Sequence, residues 1–175
     1  HQNYAFLSDF VRLMVVYEFG GIYFDTDVEL LKSPESLLDN KAFFGFETDD
    51  MVASGLAFGS VAGGFALENM LKEYEPLLDG KHGVIGCPKL NTNALVKCGL
   101  RKNGKYQELS SATIYPKEYF NPYDAATGRL NKTENTVSVH WYMGSFLTRR
   151  QKIRSMITKP FHRIFGINCF KWLKK

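Results

Sequence analysis

Two aspartates separated by one residue, Asp25 and Asp27, are the side chains of this sequence with the clearest chemical potential. They follow a short apolar run, Ile22–Phe24, which begins directly after Gly20 and Gly21. Carboxylate oxygens are ligands that Mg²⁺ and Mn²⁺ prefer, and the same ions bind phosphate oxygens. The spacing therefore predicts a site for a divalent cation that could carry the diphosphate of a nucleotide-sugar, and with it an enzyme.

A helix must lie before the two glycines to position these aspartates. Apolar residues recur three and four positions apart, as on one face of a helix, at Phe6, Phe10, Leu13, Val16 and Tyr17. This pattern predicts a helix from Tyr4 to Phe19 that ends at Gly20. Asp9 and Arg12 are neighbours on its surface because they are three residues apart.

The lengths of helix and strand place the acidic groups at the same end of the unit. The helix covers roughly 16 Å from Asp9 to Gly20, at about 1.5 Å per residue. A strand that reverses at the glycines returns roughly 16 Å by Asp25, at about 3.3 Å per residue. The carboxylates and Arg12 would then lie together. Each feature also has a simpler interpretation without a metal or ligand. The DxD would be a solvated turn, and Asp9 and Arg12 would form an ordinary surface ion pair.

The combination of these residues resembles a known family. The first motif reads Ser8-Asp9-x-x-Arg12, followed by Tyr17-x-x-Gly20-Gly21-Ile22-Tyr23-x-Asp25-x-Asp27. It is similar to the sugar-binding region of DXD-containing bacterial glycosyltransferases of the capsular-polysaccharide and mannosyl-transfer type, which are related to the glucosylating clostridial toxins. A second motif, Val139-His140-Trp141-Tyr142-Met143-Gly144-Ser145-Phe146, is similar to the family's closing His-x-x-x-Gly-Ser-Trp.

The resemblance implies an α/β fold of the GT-A-like kind, with a Rossmann-like mixed sheet flanked by helices. We expect this catalytic core over residues 1–146, without the N-terminal strand or strands that family members place before the first motif. Residues 147–175 are expected to form a basic amphipathic C-terminal extension.

The resemblance also implies which residues bind metal. Asp27 is expected to bind the cation directly, while Asp25 reaches the cation or the ribose and sugar hydroxyls. His140 is the expected distal ligand. An imidazole beside two carboxylates suits Mn²⁺ somewhat better than Mg²⁺.

Other motif residues are expected to bind the donor substrate, with a uridine diphosphate sugar as the default. Asp9 and Arg12 would hold donor-sugar hydroxyls, and Tyr23 belongs to the same site. Ser145 would donate a hydrogen bond to the β-phosphate. Phe146 replaces the usual Trp, which keeps an aromatic wall but loses an N–H donor. Asp9 and Arg12, with the two aspartates of the DxD, are the predicted catalytic residues.

The implied reaction moves a hexose from a nucleoside-diphosphate sugar to a glycan or lipid-linked glycan acceptor, in bacterial surface polysaccharide synthesis such as that of a capsule. A bound cation stabilises the departing diphosphate as a Lewis acid. The resemblance implies retention at the anomeric carbon. No residue declares itself a covalent nucleophile, so front-face and double-displacement routes both stay open.

Two other function classes stay open. Phe24–Val28 also resembles the DxDx(T/V) motif of haloacid-dehalogenase-type phosphatases, in which Asp25 would be the nucleophile. That motif requires a further acidic pair, for which Asp49 and Asp50 are a poor substitute, and it gives Asp9 and Arg12 no role. The third class is a non-catalytic glycan-binding domain.

The middle of the chain alternates predicted strands and helices. Strands are predicted at 41–47, 55–59, 112–116 and 136–142, and helices at 64–78 and 91–100. Pro76 marks a kink or stop in the first of these helices. Cys87-Pro88 is expected in a loop near the sugar. Asn91 and Thr92 are weak candidates for substrate contacts or, more simply, for helix caps.

Positive charge is concentrated at the C-terminus. Residues 136–175 hold nine Lys and Arg and no acid, whereas residues 1–135 hold 13 Lys and Arg against 18 Asp and Glu. Large apolar residues interleave with this charge, which suits the surface of an anionic bilayer. We predict peripheral membrane contact; the alternative is an ordinary amphipathic helix, Ile153 to Phe165, that packs on the protein. Nucleic-acid binding is not expected, because no nucleic-acid-binding motif accompanies the charge.

Cysteine usage bears on the compartment. Cys87, Cys98 and Cys169 are widely spaced and odd in number, and they show neither a disulfide framework nor a zinc pattern. This favours a reducing compartment. We therefore expect a cytoplasmic protein, peripheral at the inner face of the cytoplasmic membrane.

Overall fold

The computed structural model describes residues 4–79, 81, 83, 85–143 and 148–170, which form four α-helices and nine strands. The helices are α1 (Tyr4–Phe19), α2 (Phe65–Tyr74), α3 (Cys87–Lys97) and α4 (Arg149–Phe165). The strands are β1 (Gly21–Phe24), β2 (Val28–Leu30), β3 (Ala42–Gly45), β4 (Ala57–Ser60), β5 (Gln107–Glu108), β6 (Thr113–Tyr115), β7 (Tyr123–Asp124), β8 (Arg129–Leu130) and β9 (Ser138–His140).

Five strands form one mixed sheet in the order β1-β4-β3-β6-β5. β3 and β6 are parallel, and the other neighbours are antiparallel. Two short antiparallel pairs lie outside this sheet, β2 with β9 and β7 with β8. This mixed α/β architecture is compatible with a GT-A-like fold.

Aromatic side chains pack within the sheet and between the helices α1 and α2. Phe44 and Phe58 stack on the neighbouring strands β3 and β4, with ring centroids 5.9 Å apart. Tyr74 of α2 lies against Phe6 and Phe10 of α1, at centroid distances of 5.4 and 6.0 Å. Burial of one such ring stabilises the fold by about 1.5–3 kcal/mol. The predicted apolar face of α1 is therefore the face that packs.

Gly20 ends α1 as the sequence predicted. Its φ is +71°, in the left-handed region, and a Cβ at this position would lie 3.0 Å from the backbone nitrogen of Ala62. Both the conformation and the lack of space require glycine. The chain then enters β1, whose last residue, Phe24, directly precedes Asp25.

Two predicted helices need correction. The helix predicted at 91–100 begins earlier, at Cys87, because Pro88 fits a first helical turn, where no backbone N–H is needed. Cys87-Pro88 is therefore not in a loop, and Asn91 and Thr92 are buried inside α3 rather than at its cap. The helix predicted at 64–78 ends as α2 at Tyr74 and continues as a 3-10 turn that contains Pro76.

The predicted strands are present but shorter. Those predicted at 41–47, 55–59, 112–116 and 136–142 correspond to β3, β4, β6 and β9. β2, β5, β7 and β8 have two or three residues each and were not predicted. Such short segments carry too few residues to show an alternating pattern.

Helix α4 turns its polar side toward the β7–β8 hairpin. Lys159 Nζ donates to the hydroxyl of Tyr123 at 3.0 Å, and the His162 ring lies 3.2 Å from the carbonyl oxygen of Ala126. The apolar side chains of the helix are exposed, with Ile153 at 50 %, Ile157 at 60 % and Ile164 at 73 %. The alternative in which these apolar residues pack on the protein therefore has no support among the described residues.

A membrane-crossing helix is not among the described elements. None of the helices within residues 4–79, 85–143 and 148–170 combines the length and the apolar character that a bilayer span requires.

Candidate metal and substrate site

One guanidinium joins α1 to the end of β1. Arg12 pairs with Asp9, one turn earlier on the helix, and its Nη1 lies 3.3 Å from Oδ2 of Asp25. Arg12 is only 7 % exposed, so water screens these pairs less than it screens a surface pair. The structure thus joins three of the four side chains that the lengths of helix and strand predicted at one end of the unit, namely Asp9, Arg12 and Asp25.

Tyr23 completes this group. Arg12 Cζ lies 5.5 Å from the centroid of the Tyr23 ring, within the range of a cation–π contact. The tyrosine hydroxyl donates to Oδ1 of Asp25 at 3.3 Å, and the N–H of Thr26 donates to the same oxygen at 3.2 Å. Burial, and then the charge of Asp25, raises the pKa of Tyr23, so its hydroxyl stays protonated at neutral pH. Both oxygens of Asp25 are therefore oriented.

Asp27 is positioned by the pairing of β2 with β9. Val28 lies opposite His140 in this pair, so the imidazole reaches Asp27, and its Nε2 lies 3.0 Å from Oδ1. Oδ2 accepts a hydrogen bond from the N–H of Met143 at 2.9 Å. The carbonyl oxygen of Asp27 accepts one from the N–H of Trp141 at 3.0 Å. The two sequence motifs therefore meet at this aspartate.

Asp25, Asp27 and His140 form a group that could hold a metal ion. Each offers one ligand atom, and these atoms all lie within 4.8 Å of one another. That spacing is about twice a usual metal–oxygen distance, and carboxylate and imidazole ligands suit Mn²⁺ or Mg²⁺. The residues therefore fit a divalent cation in type and in spacing.

His140 has weaker support than the two aspartates. Its Nδ1 atom is buried and has no hydrogen-bond partner among the described residues. A histidine that binds metal usually donates its second ring N–H to an acceptor, which fixes the ring and raises its basicity. We therefore expect His140 to contribute less to metal affinity than Asp27.

The chain turns sharply after β9, at Tyr142. Its φ is +49°, which a bulky residue rarely adopts. The turn brings the tyrosine ring edge-on against His140, with centroids 4.0 Å apart. The hydroxyl accepts from Asn121 Nδ2 at 2.8 Å and donates to Glu47 Oε1 at 3.2 Å. Burial, and then the charge of Glu47, raises the pKa of Tyr142, so this donor stays protonated.

The sequence did not single out Glu47, Asn121 or Tyr142. Tyr142 lies inside the second motif, and this position is the sequence feature that could have identified it as a site residue. Glu47 lies at the end of a predicted strand, and Asn121 lies in a segment without periodicity. Contacts between distant segments bring the three together, and the sequence has no local signal for such contacts.

Buried polar groups also lie near Arg12. Burial raises the pKa of Cys87, and nearby Arg12 and Ser54 oppose this only in part, so the thiol stays protonated. Asn91, one turn later on α3, is fully buried, and neither of its side-chain polar atoms has a hydrogen-bond partner among the described residues. Buried polar atoms of this kind usually pair with water or a ligand. This leaves Asn91 as a candidate for a substrate or water contact.

Ser145 and Phe146, predicted to contact the diphosphate, lie outside the described residues. Their predicted roles stay predictions.

The first motif matches a known family. Residues 1–44 match the family model described as glycosyltransferase sugar-binding region containing DXD motif. The matched segment contains Asp9, Arg12, Asp25 and Asp27, the four side chains predicted as catalytic. The match supports a glycosyltransferase of the DXD type, a class that generally binds a divalent metal ion and uses a nucleotide-sugar donor and a glycan acceptor. No curated protein and no solved structure matched the chain.

Proposed function

We propose that this protein is a metal-dependent, retaining hexosyltransferase that acts on a nucleoside-diphosphate sugar, by default a uridine diphosphate sugar. The acceptor is a glycan or lipid-linked glycan of a bacterial surface polysaccharide, such as a capsule. The observation that carries the proposal is the meeting of the DxD aspartates with His140 at one place. That meeting joins both motifs of the resemblance in a single site.

In this proposal Asp25, Asp27 and His140 hold Mn²⁺ or Mg²⁺. When bound, such an ion supplies Lewis-acid stabilisation of the charge that develops on the departing diphosphate. The chain's own contribution is to fix its ligands before substrate arrives. The N–H groups of Thr26 and Met143 hold one oxygen of each aspartate, so little reorganisation is needed on binding.

Asp9, Arg12 and Tyr23 form the proposed donor-sugar group together with Asp25. Arg12 links two carboxylates and is nearly buried, so it holds both acids in one orientation. Asp9 has 16 % of its side chain exposed and Asp25 has 33 %. These carboxylates can therefore accept hydrogen bonds from sugar hydroxyls. Ser145 and Phe146 are proposed to contact the diphosphate.

Helix α4 is proposed to dock on an anionic membrane. Its exposed apolar stripe contains Ile153, Ile157 and Ile164. The helix carries no acid and six basic residues, of which Lys159 contacts Tyr123 of the hairpin: Arg149, Arg150, Lys152, Arg154, Lys159 and Arg163. An amphipathic helix of this composition lies in the plane of an anionic bilayer surface. Residues 147–175 would then be the membrane extension of a catalytic core at 1–146, at the inner face of the cytoplasmic membrane.

The phosphatase alternative gains no support from the geometry. It would need Asp25 as a free nucleophile, yet Oδ2 of this residue faces Arg12 and Oδ1 accepts two hydrogen bonds. A non-catalytic glycan-binding domain would have no need for the Asp–Asp–His group.

The proposed function is tested by thermal unfolding with nucleotide-sugars. A ligand that binds the folded state raises the unfolding temperature. We expect at least one uridine diphosphate hexose to raise it in the presence of Mn²⁺ and not in the presence of EDTA. A panel with adenosine and guanosine diphosphate sugars serves as the control for base selectivity. No protection by any nucleotide-sugar with Mn²⁺ would contradict the proposed function.

A further inference from the structure

A polar cavity of about 460 Å³ lies next to the candidate metal ligands. The charged and polar residues of its lining include Glu47, Asp49, Lys117, Asn121, Asp124 and Tyr142. Tyr142 separates the cavity from the metal ligands, because its ring also contacts His140. Within the described part of the chain, the donor-sugar group does not line this cavity. The cavity is therefore a second compartment beside the proposed reaction centre.

Asn121 fixes two neighbouring residues in the cavity wall. The residue is only 8 % exposed. Its Nδ2 donates to the carbonyl oxygen of Glu47 at 3.0 Å and to the hydroxyl of Tyr142 at 2.8 Å. These two bonds fix the amide, while its Oδ1 has no hydrogen-bond partner among the described residues. That oxygen is enclosed by protein atoms, so Asn121 positions Glu47 and Tyr142 in the cavity wall rather than contacting a ligand itself.

The carboxylate of Glu47 supplies hydrogen-bond acceptors to the cavity, beside this amide. Tyr142 donates to one of its oxygens, and an ionised carboxylate has about four acceptor positions in total. Tyr123 also lines the cavity, and its ring packs against Trp141 with centroids 5.2 Å apart. A positioned carboxylate in a polar cavity suits a sugar, whose hydroxyls donate hydrogen bonds.

We propose that this cavity binds the acceptor glycan, through hydrogen bonds from its hydroxyls to Glu47, which Asn121 helps to position. The inference rests on the proposed function, because it names the second substrate of the same site. Transfer requires both sugars to be held close together, and the shared wall at Tyr142 provides this proximity. The cavity lining contains three carboxylates, on Glu47, Asp49 and Asp124, and one lysine, Lys117. The acceptor residue bound here is therefore a neutral hexose rather than an acidic sugar.

Saturation-transfer NMR with methyl glycosides tests the inference without metal or nucleotide. The probes are the methyl glycosides of glucose, galactose, mannose and N-acetylglucosamine, with methyl glucuronide as the acidic comparison. The proteins are the full chain and its variants Glu47→Gln and Asn121→Ala. The matched control is Glu35→Gln, at an exposed position that does not line the cavity.

We expect at least one neutral hexoside to bind the wild type and Glu35→Gln, and methyl glucuronide to bind neither. Binding should be about tenfold weaker in Glu47→Gln, as for the loss of one hydrogen bond, and weaker in Asn121→Ala, which loses the bonds that position Glu47 and Tyr142. Glu47→Gln is nearly isosteric, so it carries the test even if Asn121→Ala proves unstable. Absence of hexoside binding to the wild type, or equal binding by wild type and Glu47→Gln, would overturn the inference.

Uridine diphosphate with Mn²⁺ separates this inference from the proposed function. Protection of the wild type and of Glu47→Gln by the nucleotide, without hexoside binding, would leave the proposed function standing and reject the acceptor site. Loss of nucleotide protection in Glu47→Gln would assign the cavity to the donor and overturn the inference. Absence of nucleotide protection in the wild type would reject the proposed function itself.

Discussion

His140 Nε2 lies 3.0 Å from Asp27 Oδ1, and this contact joins the two sequence motifs. The pairing of Val28 with His140 holds the two residues together through the backbone. The contact occupies one carboxylate oxygen of Asp27, and the N–H of Met143 donates to the other. Substitutions at Asp27 and at His140 should therefore lower metal affinity without a matching loss of stability.

Asp27→Asn should abolish metal-dependent nucleotide binding and transfer with little change in stability. The amide oxygen can still accept from the N–H of Met143, and the amide NH₂ can donate to Nε2 of His140. The fold therefore keeps both contacts while the ligand charge is lost. Mn²⁺ titration and thermal unfolding in EDTA measure the two effects. An Asp27→Asn protein with full activity would contradict the assignment.

His140→Ala should weaken Mn²⁺ affinity less than Asp27→Asn does. The histidine is neutral as a ligand, and its Nδ1 has no supporting acceptor among the described residues. Isothermal titration with Mn²⁺ in the presence of uridine diphosphate compares the variants. An unchanged titration would remove His140 from the metal site.

Arg12→Met should lower the free energy of unfolding by about 3 kcal/mol or more, because removal of one partner leaves charged groups unpaired in a partly buried site. Asp9 and Asp25 would lose the cation that both contact. The matched control is Lys72→Met, which breaks an exposed pair with Glu68 and should cost far less, because exposed ion pairs contribute little to stability. Urea unfolding of the metal-free proteins measures both. Equal losses in the two variants would show that Arg12 does not hold the site together.

Tyr74→Phe should make stability less dependent on alkaline pH. Burial raises the pKa of Tyr74 above its ordinary value of 10.0. The unfolded chain therefore loses this proton first as the pH rises past 10, and the free energy of unfolding falls by up to about 1.4 kcal/mol per pH unit. At pH 7 the variant should be as stable as the wild type or slightly more so, since the Tyr74 hydroxyl has no hydrogen-bond partner among the described residues.

Urea unfolding between pH 7 and pH 11 measures this difference. The other tyrosines titrate equally in both proteins, so the difference between the two curves isolates Tyr74. Parallel curves would show that its hydroxyl does not resist deprotonation in the folded state.

The double variant Ile157→Asp and Ile164→Asp should lose vesicle binding by roughly tenfold, because it places two charges on the apolar stripe of α4. Co-sedimentation with phosphatidylglycerol vesicles measures the loss, and high salt should weaken binding of the wild type. The control is Leu78→Asp, at another exposed apolar position, which should bind like the wild type. Equal recovery of the wild type with neutral and with anionic vesicles would count against membrane docking.

The sequence predicted the local parts of this site. The apolar spacing located α1, Gly20 located its end, and the lengths of helix and strand placed Asp9 and Arg12 near Asp25. These inferences depend on residues close together in the chain, where periodicity and turn chemistry are informative.

Long-range contacts were harder to predict. The three-residue strands β2 and β9 carry no pattern that identifies their pairing. The hydrogen bond between Asn121 and Tyr142 depends on that pairing and on a left-handed turn.

The predicted start of α3 was wrong because Pro88 was interpreted as a loop residue. A proline also fits a first helical turn. In α4, the pattern showed an amphipathic helix but could not show which side faces the protein.

The β2–β9 pair lies outside the five-stranded sheet, and this separation bears on how a bound molecule leaves the site. Opening of a short strand pair costs less free energy than unfolding of the whole domain. Such an opening would withdraw His140 from Asp27 while β1 and α1 stay in place. Amide protons of Glu29 and Val139, a hydrogen-bonded pair of this ladder, should therefore exchange with solvent faster than those of β3 and β4, and any molecule that bridges the two motifs should slow that exchange.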